Sequence, residues 1–161
     1  YNGDHMSMYA VNSSIPKTLV RYLVEYFALK EKDKECKQTI LDILDTPISP
    51  ELLPPDKKDN IKQQTELVVG PYVLHDFFIY HFMRYGASIK KINYLACHTF
   101  KGMYDEKEIA KWLKFFVKRF FSQQFNRSCL SDGPKVGTIS ISPRGDLRMP
   151  SDADGSDWLE F

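Results

Sequence analysis

Few side chains in this sequence stand where they could do chemistry. His75 and Asp76 are neighbours, and an acid/base couple must face its partner, whereas adjacent residues on a helix point ~100° apart. Structural roles are the better reading for both. Phe125-Asn126-Arg127-Ser128 ends an aromatic run and offers an amide and a guanidinium, groups suited to ribose, carboxylate or phosphate oxygens. Taken alone, a surface arginine explains it as well. Ser142-Pro143-Arg144-Gly145-Asp146-Leu147-Arg148 sets two arginines around an acid, either an anion site or a turn clamped between Arg144 and Asp146. Cys36, Cys97 and Cys129 are odd in number and widely spaced, with no Cys-x-x-Cys pair and no histidine at zinc spacing, so they read as reduced thiols. There is no Gly-x-x-x-x-Gly-Lys phosphate loop, no Gly-x-Ser-x-Gly elbow and no His-Glu-x-x-His. The chain therefore carries no self-contained catalytic set, and no metal ligand is assigned.

The elements that must position these groups are mostly helical. Ser13 or Ser14 can cap a helix with Pro16 in its first turn, where a missing amide hydrogen costs nothing; Leu19, Val20, Leu23 and Phe27 then share one face, and the helix ends near Leu29. Lys30 to Lys37 reads as a solvated charge cluster, followed by a short amphipathic helix over Gln38 to Leu44. Pro47, Pro50, Pro54 and Pro55 break regular structure between Asp45 and Asp59, predicting an ordered, functional loop anchored by Ile48, Leu52 and Leu53. Pro71 opens a helix apolar around most of its circumference, and Gly86 stops it. Ser88 caps the next helix, running to about Phe100. Asp105 and Glu108 give a capping-box start to a long helix with Ile109, Trp112, Leu113, Phe116, Phe120 and Phe121 on one stripe. Its phenylalanines, Phe115 among them, fit a core better than base stacking. Val136 to Ser142 predicts one short extended segment, and Trp158, Leu159 and Phe161 predict that the tail docks.

Composition narrows the classes. At 161 residues with 43% hydrophobic content the chain can bury a core. Its 22 basic and 21 acidic residues leave no field to draw it onto nucleic acid or anionic lipid. The apolar stretches are broken by His75, Asp76, Lys111, Lys114 and Lys118, so no membrane span is expected, and the first residues lack the pattern of a secretory signal. A cytoplasmic protein that binds neither nucleic acid nor membrane is the expectation.

Several blocks, in order, carry a resemblance. They are Gly3-Asp4-x-Met6-Ser7, Ile15-Pro16-Lys17-Thr18-Leu19, Val69-Gly70-Pro71-Tyr72-x-Leu74-x-Asp76-Phe77, Ser122-Gln123-Gln124-Phe125-x-Arg127-Ser128 and Gly133-Pro134-Lys135-Val136. The most specific is Ser142-Pro143-Arg144-Gly145-Asp146-x-Arg148-x-Pro150-Ser151-Asp152. Over nearly the whole chain this resembles the C-terminal portion of bacterial glutamine-dependent NAD synthetases. The resemblance implies that residues 1–161 are the helical C-terminal part of an α/β, adenine-nucleotide α-hydrolase-like (Rossmann-like) synthetase domain. It further implies an N-terminal nitrilase-like glutaminase domain that supplies ammonia, homo-oligomers, and ATP-dependent amidation of deamido-NAD through an adenylated intermediate, with magnesium accompanying ATP. The family's Ser-Gly-Gly-x-Asp-Ser pyrophosphate loop would lie upstream of Tyr1 and is absent here, as is the glutaminase cysteine. The chain alone is therefore expected to be inactive.

Residue by residue, the resemblance gives Lys17 as an ATP contact and Ser49 in the place of a threonine that hydrogen-bonds ATP. Asp4 follows the family's Gly-Asp turn near the substrate deamido-NAD, and Glu66 stands where an acidic residue is common, although Thr65 replaces the aspartate many relatives carry just before it. Asn126 occupies the position of a lysine that binds deamido-NAD, with Arg127 beside it able to supply the lost charge. A rival reading is a helical interaction or oligomerisation module that contributes nothing to catalysis.

Overall fold

The computed structural model describes residues 7–46 and 65–161, and among these it is helical, with no strand. The expected mostly-α chain is what is found. Asp4, Ser49 and the proline-rich loop fall outside the described residues. The chain divides into two units, Pro16–Val73 and a second made of Tyr1–Ile15 with Leu74–Phe161.

In the first unit, α1 (Lys17–Lys30) and α2 (Lys34–Asp45) form a pair, followed by the short α3 (Thr65–Val69). Helix α1 starts two residues later than a Ser14 cap would place it. Pro16 occupies its N-cap and no side chain caps it, because the Ser14 hydroxyl is spent elsewhere, donating to the Pro134 carbonyl at 2.6 Å. The expected apolar stripe stays open: Leu19, Val20, Leu23 and Phe27 are exposed, and α1 buries only Ala28. Helix α2 begins inside the charge cluster, because the Asp33 carboxylate accepts from the amides of Glu35 at 2.8 Å and Cys36 at 3.0 Å. Two of the otherwise unpaired first-turn donors are thereby satisfied.

The second unit is built on α4 (Tyr72–Tyr85), which enters it at Leu74, α5 (Ile89–Thr99) and α6 (Glu106–Ser122), with the short α7 (Gln124–Ser128) after them. Gly86 ends α4 with φ of 55°, a left-handed conformation that glycine adopts without strain. Ser88 then caps α5 by accepting from the Lys91 amide at 3.4 Å. The capping box at α6 does not form. Asp105 makes no side-chain cap bond, and Glu108 instead accepts from the Trp112 indole Nε1 at 3.4 Å. The stripe it introduces is nonetheless the core: Ile109, Trp112, Leu113, Phe116 and Phe120 are buried, with Leu74 and Phe78 of α4 and Ile92 and Ala96 of α5 in the same cluster. His75 sits among aromatic rings, 6.0 Å from Phe116 and 6.2 Å from Phe78 between centroids.

The tail docks on this core through a 3₁₀ turn, Ser156–Leu159. Trp158 meets Phe82 at 5.3 Å and Phe121 at 5.7 Å between ring centroids, and the Lys114 ammonium lies 5.1 Å from the Phe161 ring. Gly155 makes this approach possible, because a Cβ there would fall within the Phe121 ring. Gly155→Ala should therefore cost about 1–3 kcal/mol, the usual range for overpacking, and uncover the part of Trp158 that packs on Phe82 and Phe121. Thermal unfolding together with a red shift in tryptophan emission reads this out; an unchanged melting curve and spectrum would show that the tail is not held this way.

Candidate functional site

The assigned residues divide between the two units. Lys17 is the first residue of α1 and is exposed. Glu66, also in the first unit, has a task of its own: its Oε1 accepts from the Tyr72 amide at 3.0 Å. Gly70 reverses the chain between them with φ of 92°, and its amide donates to the Glu66 carbonyl at 2.9 Å. The carboxylate so placed satisfies an orphan amide at the start of α4 and puts negative charge at the positive end of that helix.

Asn126 and Arg127 lie together on α7, where the chain breaks from α6 at Gln123 and restarts. Both turn toward the protein. Asn126 Nδ2 donates to Gln123 Oε1 at 2.7 Å. Arg127 Nε donates to Gln124 Oε1 at 2.8 Å, an Nη donates to the Phe120 carbonyl, and the guanidinium carbon lies 4.4 Å from the Phe120 ring centre. Burial lowers its pKa from the ordinary value, but a guanidinium stays protonated in proteins. No carboxylate joins it among the described residues, so its charge is held by an amide oxygen, a carbonyl and a π face.

Sequence reasoning passed over Gln124. It is fully buried, at 0% exposure, and its Nε2 donates to the Met149 carbonyl at 3.0 Å. The signal was faint, since a glutamine in an aromatic helix end looks like surface.

Beyond α7 the polypeptide is irregular from 130 to 149. The extended segment expected over Val136 to Ser142 joins no ladder, and three of its amides go to side chains. Val136 donates to Ser14 Oγ at 2.9 Å, Ser140 to Asp146 Oδ2 at 2.8 Å and Ser142 to Ser140 Oγ at 3.3 Å. The Arg144–Asp146 clamp is replaced by two crossed ties. Arg144 reaches back to the Asp132 carboxylate and the Leu130 carbonyl, while Asp146 pairs with Lys135 at 2.7 Å. Residues 7–15 are stitched to the same loop: the Ala10 amide donates to the Asp132 carbonyl at 2.7 Å, and Gly133 packs so closely that a Cβ would strike the Ala10 carbonyl and the Ser13 hydroxyl. Among the described residues no group of histidine, cysteine, aspartate and glutamate side chains could hold a metal ion, and no helix is long and apolar enough to cross a membrane. The cysteines are free.

The Lys135 hydrogen bond, helped by the Ser140 amide, holds the Asp146 carboxyl below the ordinary aspartate value. A depressed carboxyl pKa stabilises the folded loop at pH above the unfolded value of roughly 3.9, and that contribution is lost as pH falls through the lower folded value. Protection of the Ser140 amide from hydrogen exchange should thus persist from neutral pH down to that range and fall below it. In Asp146→Asn it should already be reduced at pH 7. Equal protection in the variant and the parent at pH 7 would remove the carboxylate from this role.

No family model matches the chain. It is 39% identical to the glutamine-dependent NAD(+) synthetase of Mycobacterium leprae (strain TN). To those of Mycobacterium tuberculosis (strain ATCC 25618 / H37Rv) and Mycobacterium bovis (strain ATCC BAA-935 / AF2122/97) it is 38% identical. Each match covers 98% of this chain but 26% of the relative, so the chain spans about a quarter of the length of these proteins. Along almost its whole length, then, the chain is homologous to one segment of the glutamine-dependent NAD(+) synthetases.

Proposed function

We propose that this chain is the C-terminal part of the synthetase domain of such an enzyme and serves ATP-dependent amidation of deamido-NAD to NAD. The observation that carries the reading is 38–39% identity over 98% of the chain to proteins named for that activity. The parent domain is an α/β, Rossmann-like adenine-nucleotide fold to which these helices contribute one wall. Its partners are the upstream synthetase region, an N-terminal glutaminase domain and further copies of the protein, in cytoplasm.

In the reaction the nicotinate carboxylate of deamido-NAD attacks the α-phosphorus of ATP, held as its magnesium complex, and pyrophosphate leaves. Ammonia from glutamine then forms the amide bond and AMP leaves with its electron pair. This chain supplies binding groups. Lys17 places a point charge on ATP phosphate oxygens, and Ser49 adds a hydroxyl donor. Asn126 and Arg127 donate to deamido-NAD, the substrate to which the resemblance also assigns Asp4 and Glu66. Where the family lysine would bring charge, Asn126 brings only an amide dipole, so the electrostatic part of that contact rests on Arg127.

In the full-length protein Lys17→Ala should raise the KM for ATP about tenfold or more, as expected when a charged contact to phosphate is lost, with little change for deamido-NAD. Unchanged kinetics would favour the rival reading, in which the helices only mediate assembly; the inward bonds of Asn126 and Arg127 are what that reading draws on. The isolated 161-residue chain should form no NAD from deamido-NAD, ammonia and ATP, since carboxylate activation needs charge stabilisation from a phosphate loop. Turnover by the purified chain would overturn that expectation.

A further inference from the structure

We infer that Gln124 is a positioning residue that fixes the plane of the Arg127 guanidinium by tying it to the backbone of the tail at Met149; this rests on the reading of Arg127 as a contact to deamido-NAD. The argument begins with hydrogen-bond capacity. Arginine can only donate and a backbone carbonyl can only accept, so a group bridging the two must accept at one end and donate at the other. The Gln124 amide does both, accepting from Arg127 Nε at 2.8 Å and donating to the Met149 carbonyl at 3.0 Å. Glutamate of the same length has no donor for the carbonyl, methionine has neither group, and asparagine is a methylene short. The network also fixes which way the amide faces, since the flipped form would set NH₂ against the arginine donor and oxygen against the carbonyl.

Burial makes the tie consequential. Gln124 is 0% exposed, where an amide that loses a partner has no water to replace it. The guanidinium is held from a second side by the Phe120 carbonyl and from its face by the Phe120 ring. Its Nε and one Nη are thus committed, and its plane and the direction of its remaining donors are set before any substrate arrives. Ordering an arginine side chain costs conformational entropy, and here folding meets that cost in advance. The tail is part of the device, because Met149 lies between the crossed loop ties and the docked 3₁₀ turn.

The test is a double-mutant cycle in the full-length protein, with KM for deamido-NAD, KM for ATP, kcat and melting temperature measured for Gln124→Met, Arg127→Ala and the pair. If Gln124 acts through Arg127, Gln124→Met raises the KM for deamido-NAD roughly tenfold, leaves the KM for ATP alone, and adds nothing once Arg127 is alanine. A role in packing alone would make the two effects additive, or spread them over both substrates, and either result overturns the inference. If Arg127→Ala leaves the KM for deamido-NAD unchanged, it is the underlying reading of Arg127 that fails. Gln124→Glu covers the case in which Gln124→Met does not fold: it keeps the acceptor for Arg127, loses the donor to Met149 and cancels the guanidinium charge. It too should raise the KM for deamido-NAD, and wild-type affinity in that variant would sink the proposal.

Discussion

The apolar face of α6 is the surface onto which the second unit is folded. Ile109, Trp112, Leu113, Phe116, Val117 and Phe120 are all buried, at a spacing that places them on one side of the helix. Helices α4 and α5 cover that side, and the tail covers its end through Trp158, Leu159 and Phe161. Cations of α6 sit over neighbouring rings, the Lys111 ammonium 4.4 Å from the Trp112 ring centre and the Arg119 guanidinium carbon 5.7 Å from that of Phe115. Where the stripe stops, at Phe120 and Phe121, the helix breaks and α7 begins. The Arg127 environment is therefore a product of the core's end: the Phe120 ring and its carbonyl both belong to the last turns of α6.

The second constraint is the accounting of backbone polar groups in a region without sheet. A buried amide or carbonyl must find a partner. Between 130 and 149 several of those partners are side chains placed by sequence: Ser14 serves Pro134 and Val136, Asp146 serves Ser140, and Arg144 serves Leu130. Exposed ion pairs such as Arg144–Asp132 and Lys135–Asp146 add little stability each, but every one here also binds backbone or closes a loop. The loop consequently has a defined course and delivers the Met149 carbonyl to Gln124.

Periodicity made the helices of the second unit legible, along with their core, the Gly86 stop, the Ser88 cap and the docking of the tail. Those features are written in local chemistry, in residue type at helical spacing and in glycine and serine at the ends. The misreadings all involve a side chain with more than one place to go. Ser14 was an equally good cap for α1 and partner for Pro134, and the long-range bond took it. Asp33 was a cap hidden inside a charge cluster. Glu108 had a helix amide behind it and an indole ahead. Arg144 and Asp146, two apart, looked like one clamp and belong to two, because sequence proximity says nothing of which residues 130–135 the loop passes. The open stripe of α1 was read correctly as one face, but the pattern could not say whether anything lies against it.

On the proposed reading, asparagine at 126 where the resemblance places a lysine fits the electrostatics of this corner. In the loop after α7, Arg144 is paired with Asp132 and Lys135 with Asp146. Arg127 differs in kind, because each of its described partners is uncharged, and hydrogen bonds to neutral acceptors orient a charge without cancelling it. A second cation at position 126 would sit beside this one in a partly desolvated place, where like charges repel more strongly than in water. With asparagine there, the side chain is satisfied by Gln123 at 2.7 Å, and the positive potential of α7 is concentrated in one guanidinium of fixed plane. On the proposed reading, the dinucleotide would then meet a single oriented fork where the family pattern has two cations side by side, a difference in geometry as much as in charge.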